Sequence, residues 1–158
     1  MISCTEFIPA YSELFKFLEA RGGTRAVEEF WEYLSDKFLV NLKEAVERHG
    51  ILGCWIYWSQ TLNEEAADFT MELDEEAGWF RIAMHRCPSM SMLLELEHLE
   101  PYRDYCRHCD VLYRRVLEPL GYQYQIDLSN CREARCELTV RAPRGGNRQD
   151  GRTGSGET

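Results

Sequence analysis

The sequence predicts an α+β domain. It has a helical N-terminal half, then β-β-α-α-β-β, with an antiparallel sheet of about four strands covered by helices on one face. Three observations carry that expectation. Apolar residues recur at helical spacing through about residue 63. From Phe69 onward the period falls to two. Pro88 and Pro101 then each open an apolar helical stretch between two pairs of alternating segments.

The first helix has Pro9 at its first position and Tyr11, Leu14, Phe15 and Leu18 along one face. Arg21-Gly22-Gly23 ends it, and Thr24 is a suitable N-cap for the next. Phe30, Trp31, Leu34, Phe38, Leu42, Ala45 and Val46 make one long stripe that Gly50 stops. Ile51 to about Asn63, with Cys54, Trp55 and Trp58, is apolar on most sides and reads as a buried helix. Phe69, Met71 and Leu73 alternate with polar residues, and so do Phe80, Ile82 and Met84 beyond the Gly78 loop, which predicts a hairpin. Pro88 starts a short helix through Leu96, and Pro101 starts another that runs to about Glu118. Two strands close the domain. Tyr122, Tyr124, Ile126 and Leu128 share a face in one, and Cys136, Leu138 and Val140 in the other.

The 158 residues suit a single domain, 1–141, able to bury a core without staples. Residues 142–158 hold five glycines and three arginines but no large apolar residue, so a disordered tail is expected. A net charge of −9 argues against a nucleic-acid partner. No apolar run reaches a membrane span, and the N-terminus lacks the basic and apolar regions of a signal peptide. Seven cysteines, an odd number, then favour reduced thiols in the cytoplasm.

Those thiols are the candidate chemistry. Cys87 ends a strand and precedes Pro88, which puts it at or beside a helix N-cap, where backbone N–H groups favour a thiolate. His85 shares its side of the strand if the strand extends that far, and a Cys with a nearby His is the minimal kit for nucleophilic catalysis. Cys106 and Cys109 form a C-x-x-C pair, a spacing shared by zinc half-sites and redox motifs. The predicted helix carries both sulfurs on a core-facing stripe with Tyr105, while Asp110 and Arg114 pair on the opposite side and His108 lies at the border. Two zinc arrangements stay open. One is a closed site of Cys106, Cys109, Cys131 and Cys136, and the other is a partial site built from Cys87, Cys106, Cys109 and His108. Cys136 also reads as core. Trp58 and its aromatic neighbours supply pocket surface or plain packing. The acidic runs Glu64-Glu65 and Asp74-Glu75-Glu76 read as solvated.

From Trp79 to Val140 the sequence resembles the L-2-amino-thiazoline-4-carboxylic acid hydrolase family of small bacterial proteins. The resemblance lies in Met84-His85-Arg86-Cys87-Pro88, Tyr105-Cys106-Arg107-His108-Cys109-Asp110, Gly121-Tyr122 and the late Cys136. It implies hydrolysis of a C–N bond in a cyclic amidine ring. In the loop before Cys136 this chain reads Ser129-Asn130-Cys131-Arg132-Glu133-Ala134-Arg135, without the Gly and His found there in many relatives. The expectation is a small-molecule hydrolase with Cys87 as nucleophile and His108 or His85 as base. Cys106, Cys109, Asp110, Tyr105 and Trp58 would line its pocket, and Arg86 or Arg107 would meet an anionic substrate. The alternative is a binding or sensor domain that holds a small molecule or zinc through Cys87, Cys106, Cys109 and Cys136. Self-association of the chain is compatible with either.

Overall fold

The computed structural model describes residues 4–65 and 67–143, with backbone alone for residues 4 and 5. The expected tail, apart from Ala142 and Pro143, and the Cys4 side chain lie outside the described residues. The chain is α+β. Helices α1 (Cys4–Phe38), α2 (Val40–His49) and α3 (Leu52–Glu64) precede strands β1 (Asp68–Asp74) and β2 (Trp79–Arg86). Then come α4 (Pro88–Glu95), α5 (Arg107–Leu117), β3 (Gln123–Asp127) and β4 (Cys136–Arg141). No helix among the described residues is long and apolar enough to cross a membrane.

The glycine break expected near residue 22 is present inside α1. Gly23 takes φ 71° and ψ −176°, a conformation open essentially to glycine alone, and the helix changes course there. Three boundaries differ from expectation. The first helix starts at Cys4, so Pro9 lies inside it rather than at its first position. The Phe30–Val46 stripe is broken at Leu39 (φ −93°, ψ 21°). Three apolar residues in a row cannot all face one core; the break turns Leu39 inward and leaves Phe38 and Val40 exposed. The helix expected from Pro101 begins only at Arg107. Contacts with α1 hold the preceding segment in turns. The Tyr102 N–H donates to the buried Ser12 Oγ (2.8 Å), and the Tyr102 hydroxyl donates to Glu19 (3.1 Å).

The sheet is wholly antiparallel, in the order β1-β2-β4-β3. Its pairing aligns apolar side chains in rows across the strands. One row is Leu73, Phe80, Val140 and Tyr124; the next is Met71, Ile82, Leu138 and Ile126. A third row, Phe69, Met84 and Cys136, runs to the end of the sheet. On the outer face Arg81 reaches Glu72 (2.9 Å) and Glu137 (2.6 Å), tying three strands together at the surface. The inner rows pack against α2, α3 and α5 in one buried cluster. A second cluster joins α1, α4 and the turns before α5 through Phe15, Trp31, Leu93, Tyr102 and Tyr105. The Ser35 hydroxyl of α1 donates to the Leu112 carbonyl of α5 (2.8 Å) and links the two.

Helices α2 and α3 meet backbone to backbone at Gly53, where an added Cβ would lie 2.3 Å from the Ala45 carbonyl oxygen. No side-chain rotation relieves that clash. Gly53→Ala is therefore expected to cost about 2–3 kcal/mol, seen as a lower urea midpoint with an unchanged slope. Wild-type stability in the variant would show that the two helices are not in contact there.

Candidate functional site

A cavity of about 150 Å³ opens where the two apolar clusters meet, between α3, α5, the start of α4 and the third row of the sheet. Five of the seven cysteines line it: Cys87, Cys106, Cys109, Cys131 and Cys136. His108, Tyr105 and Trp58 also form its walls. Cys54, by contrast, is fully buried in the larger cluster, and burial pushes its thiol up to about 12.

Backbone geometry places each sulfur. Cys87 leaves β2 and donates its N–H to the Ala134 carbonyl (2.7 Å). It is the N-cap of α4 with Pro88 next, and although its sulfur makes no capping hydrogen bond, it lies under the influence of the backbone N–H groups of Met90 and Ser89. Those donors favour the thiolate. Burial opposes them more strongly, so the thiol is raised overall. The sequence puts both Cys106 and Cys109 inside a helix; Cys109 is inside one, but Cys106 is not. Because α5 starts late, Cys106 is its N-cap and Cys109 falls in its first turn. Cys131 opens a 3₁₀ turn, Cys131–Glu133, that ends at Ala134 in the left-handed region (φ 55°). Cys136 starts β4 opposite Met84, and burial pushes its thiol up to about 12.

His108 faces the cavity. Its Nδ1 bonds the Tyr105 carbonyl, which can only accept, so Nδ1 carries the proton and Nε2 offers a lone pair. That lone pair lies 3.5 Å from the Cys109 sulfur. Tyr105, Tyr11 and Phe15 pack around the imidazole at 4.9–6.0 Å between ring centres, and burial lowers its pKa. Cys109 is raised well above 9, by burial first and then by the charges of Cys87, Cys136, Glu65 and Cys131. The resting pair is thus neutral thiol and neutral imidazole. The Cys106 and Cys131 thiols form a second interacting pair. Each acts on the other, so that Cys131 is lowered and Cys106 raised.

Two expected residues are not brought in. His85 points to the outer face of the sheet and bonds the Thr70 hydroxyl (2.7 Å). The strand ends at Arg86, and the turn into α4 carries Cys87 inward, so strand parity no longer relates the two. Asp110 pairs with Arg114 (2.7 Å) in a separate surface groove. Of the expected arginines, Arg86 is held by Glu95 (2.6 Å) and Arg107 lines a neighbouring cavity. Arg135, paired with Glu133, lines this one instead. Glu65 also reaches it and is raised by burial and by Glu64, although its run reads as solvated in the sequence. Neither residue gave a sequence signal beyond its charge. Among the described residues no group of three or more His, Cys, Asp or Glu side chains is arranged to hold a metal ion.

The shifts at His108 and Cys109 fix the sign of a pH effect. Below the ordinary histidine value, about 6.5, the unfolded chain takes up a proton that folded His108 refuses, so acid destabilises the fold. Above about 9 the unfolded chain releases a proton that folded Cys109 keeps, so alkali does the same. In His108→Asn the acid limb is expected to flatten. The stability difference between wild type and variant, from urea unfolding, then shrinks between pH 7 and pH 5. A difference independent of pH would mean that His108 is not buried in its neutral form.

No family model, no curated protein and no solved structure matches this chain.

Proposed function

We propose that the protein hydrolyses a C–N bond in a small cyclic amidine- or amide-like molecule, with Cys109 as nucleophile and His108 as general base. The observation that carries this reading is the relay from the Tyr105 carbonyl through His108 to the Cys109 sulfur, at the wall of a cavity large enough for a small ring. A nucleophile touching a base that a third group orients is the working geometry of covalent hydrolases. The role passes from Cys87 to Cys109 because Cys109 is the thiol in contact with the imidazole.

The steps balance on these groups. The Cys109 sulfur adds to the amidine or amide carbon while its proton moves to His108 Nε2. The adduct collapses, the C–N bond breaks, and the leaving nitrogen takes the proton from His108. Water, deprotonated by His108, attacks the thio-linked carbon and restores the Cys109 thiol. Glu65 suits a cationic amidinium, which would restore the charge that its burial disfavours. Arg135 at the wall suits a carboxylate on the same molecule. Burial of the neutral pair disfavours a standing thiolate and reserves ionisation for the occupied site. The chemistry needs reduced thiols, in keeping with a cytoplasmic protein whose described cysteines are all free.

The test is turnover of L-2-amino-thiazoline-4-carboxylate and a panel of small cyclic amidines, read by mass as the ring-opened product. Wild type should act on at least one of them. Cys109→Ser and His108→Asn should each lose about 100-fold or more in kcat with the fold retained. Unchanged turnover in Cys109→Ser, or no turnover of any such ring by wild type, would overturn the proposal.

A further inference from the structure

A second cavity, of about 260 Å³, lies on the other side of the Cys106–Cys131 pair, and both residues line both spaces. Its character is different. Arg103, Arg107 and Arg132 line it, against the single acid Asp104. Arg103 is held by Glu19 and Asp104, and Arg107 by Glu28 (2.6 Å). Arg132 makes no ion pair among the described residues and stands one residue after Cys131. A guanidinium without a partner beside a dithiol is suited to an anionic ligand that reacts with sulfur.

We propose that Cys131 and Cys106 form a thiol–disulfide exchange site for small organic disulfides that carry a carboxylate, with Arg132 meeting the carboxylate. The site uses other thiols than the hydrolase reading, which rests on Cys109 and His108. The two thiols take different roles. Cys131 stands beside Arg132 in the lining of the second cavity, and its interaction with Cys106 makes it the easier thiol to ionise, so Cys131 attacks. Its thiolate bonds one sulfur of the organic disulfide, the S–S bond breaks, and one organic thiolate leaves. Cys106 gives up its proton to that leaving thiolate and attacks the Cys131 sulfur of the mixed disulfide. The second organic thiolate leaves with a proton from solvent. Two protein thiols are oxidised to one disulfide, and the organic disulfide is reduced to two thiols. The position of Cys106 at the N-cap of α5 helps it to ionise in that second step.

Full-length reduced protein, incubated separately with glutathione disulfide and with the uncharged bis(2-hydroxyethyl) disulfide, then acid-quenched and mapped by mass spectrometry, tests this. Cys131 should carry the first adduct and convert to a Cys106–Cys131 bridge. In Cys106→Ser or Cys106→Ala, whichever folds, the adduct on Cys131 should accumulate. Glutathione disulfide should react at least about fivefold faster than the neutral reagent at low salt, and Arg132→Ala should remove that preference without slowing the neutral reagent. A first adduct on any other cysteine, or failure of the bridge to form in wild type, would overturn the exchange site. A charge preference unchanged in Arg132→Ala would overturn the role of Arg132. Loss of the exchange with amidine hydrolysis intact, or the reverse, separates this proposal from the hydrolase.

Discussion

Everything distinctive about this molecule depends on how β2 and β4 are paired. The register sets Met84 opposite Cys136, and one further backbone bond, Cys87 N–H to the Ala134 carbonyl, carries the pairing past the end of β2. That bond forces the chain to turn into α4 with Cys87 at the corner. It also fixes Ala134 in a left-handed conformation, so that the Cys131–Glu133 turn folds back over the end of the sheet. A shift of one residue in the register would send Cys136 to the solvent face with Glu137 taking its place inside. Three sulfurs that are distant in the sequence therefore share one cavity because of a single ladder.

The cavity exists because two apolar cores meet without merging. Helices α2 and α3 cover the first two rows of the sheet, whereas α1 packs on α4, α5 and the turns between them. The third row, which ends in Met84 and Cys136, lies between these two packings. Buried serines of α1 hold the second core in place. Ser12 accepts from Tyr102, and Ser35 donates to Leu112. Each is a buried polar group with its partner present, the condition under which such groups orient neighbouring elements instead of weakening them. Between those two anchors run Tyr105, Cys106, His108 and Cys109.

Much of this was legible in the sequence because it is local. The change of period at Phe69, the proline after Cys87 and the glycines near residue 22 each have a short-range cause, and the elements follow. The site was legible in part. Cys87 at a helix corner, Cys106 and Cys109 as a pair, and His108 on the border of a stripe are local patterns. What the sequence could not show depends on distant contacts. Pro101 reads as a helix start, but hydrogen bonds to α1 delay the helix to Arg107 and so change Cys106 from a core residue to an N-cap. His85 reads as a partner for Cys87 through strand parity, yet parity ends where the strand does. Glu65 and Arg135 carry no local signal. Their place at the cavity wall comes from where α3 ends and where the loop before β4 lies.

Five thiols around so small a space set an electrostatic limit on one another. Each thiolate raises the cost of the next; Cys131 disfavours ionisation at Cys109, Cys136 and Cys106 alike. Of the five thiols only Cys131 is lowered, by its interaction with Cys106, so it is the one best placed to carry a charge. Cys109 is held in its neutral form beside His108 by burial first, and a charge on Cys131 adds to that. A Cys106–Cys131 bridge of the kind proposed would remove that charge, and with it one of the smaller causes that raise Cys109. The wall between the two cavities is thus more than a partition. If both proposals hold, the charge carried by one dithiol would bear on the nucleophile across that wall, in addition to the burial that is the larger cause of its neutrality.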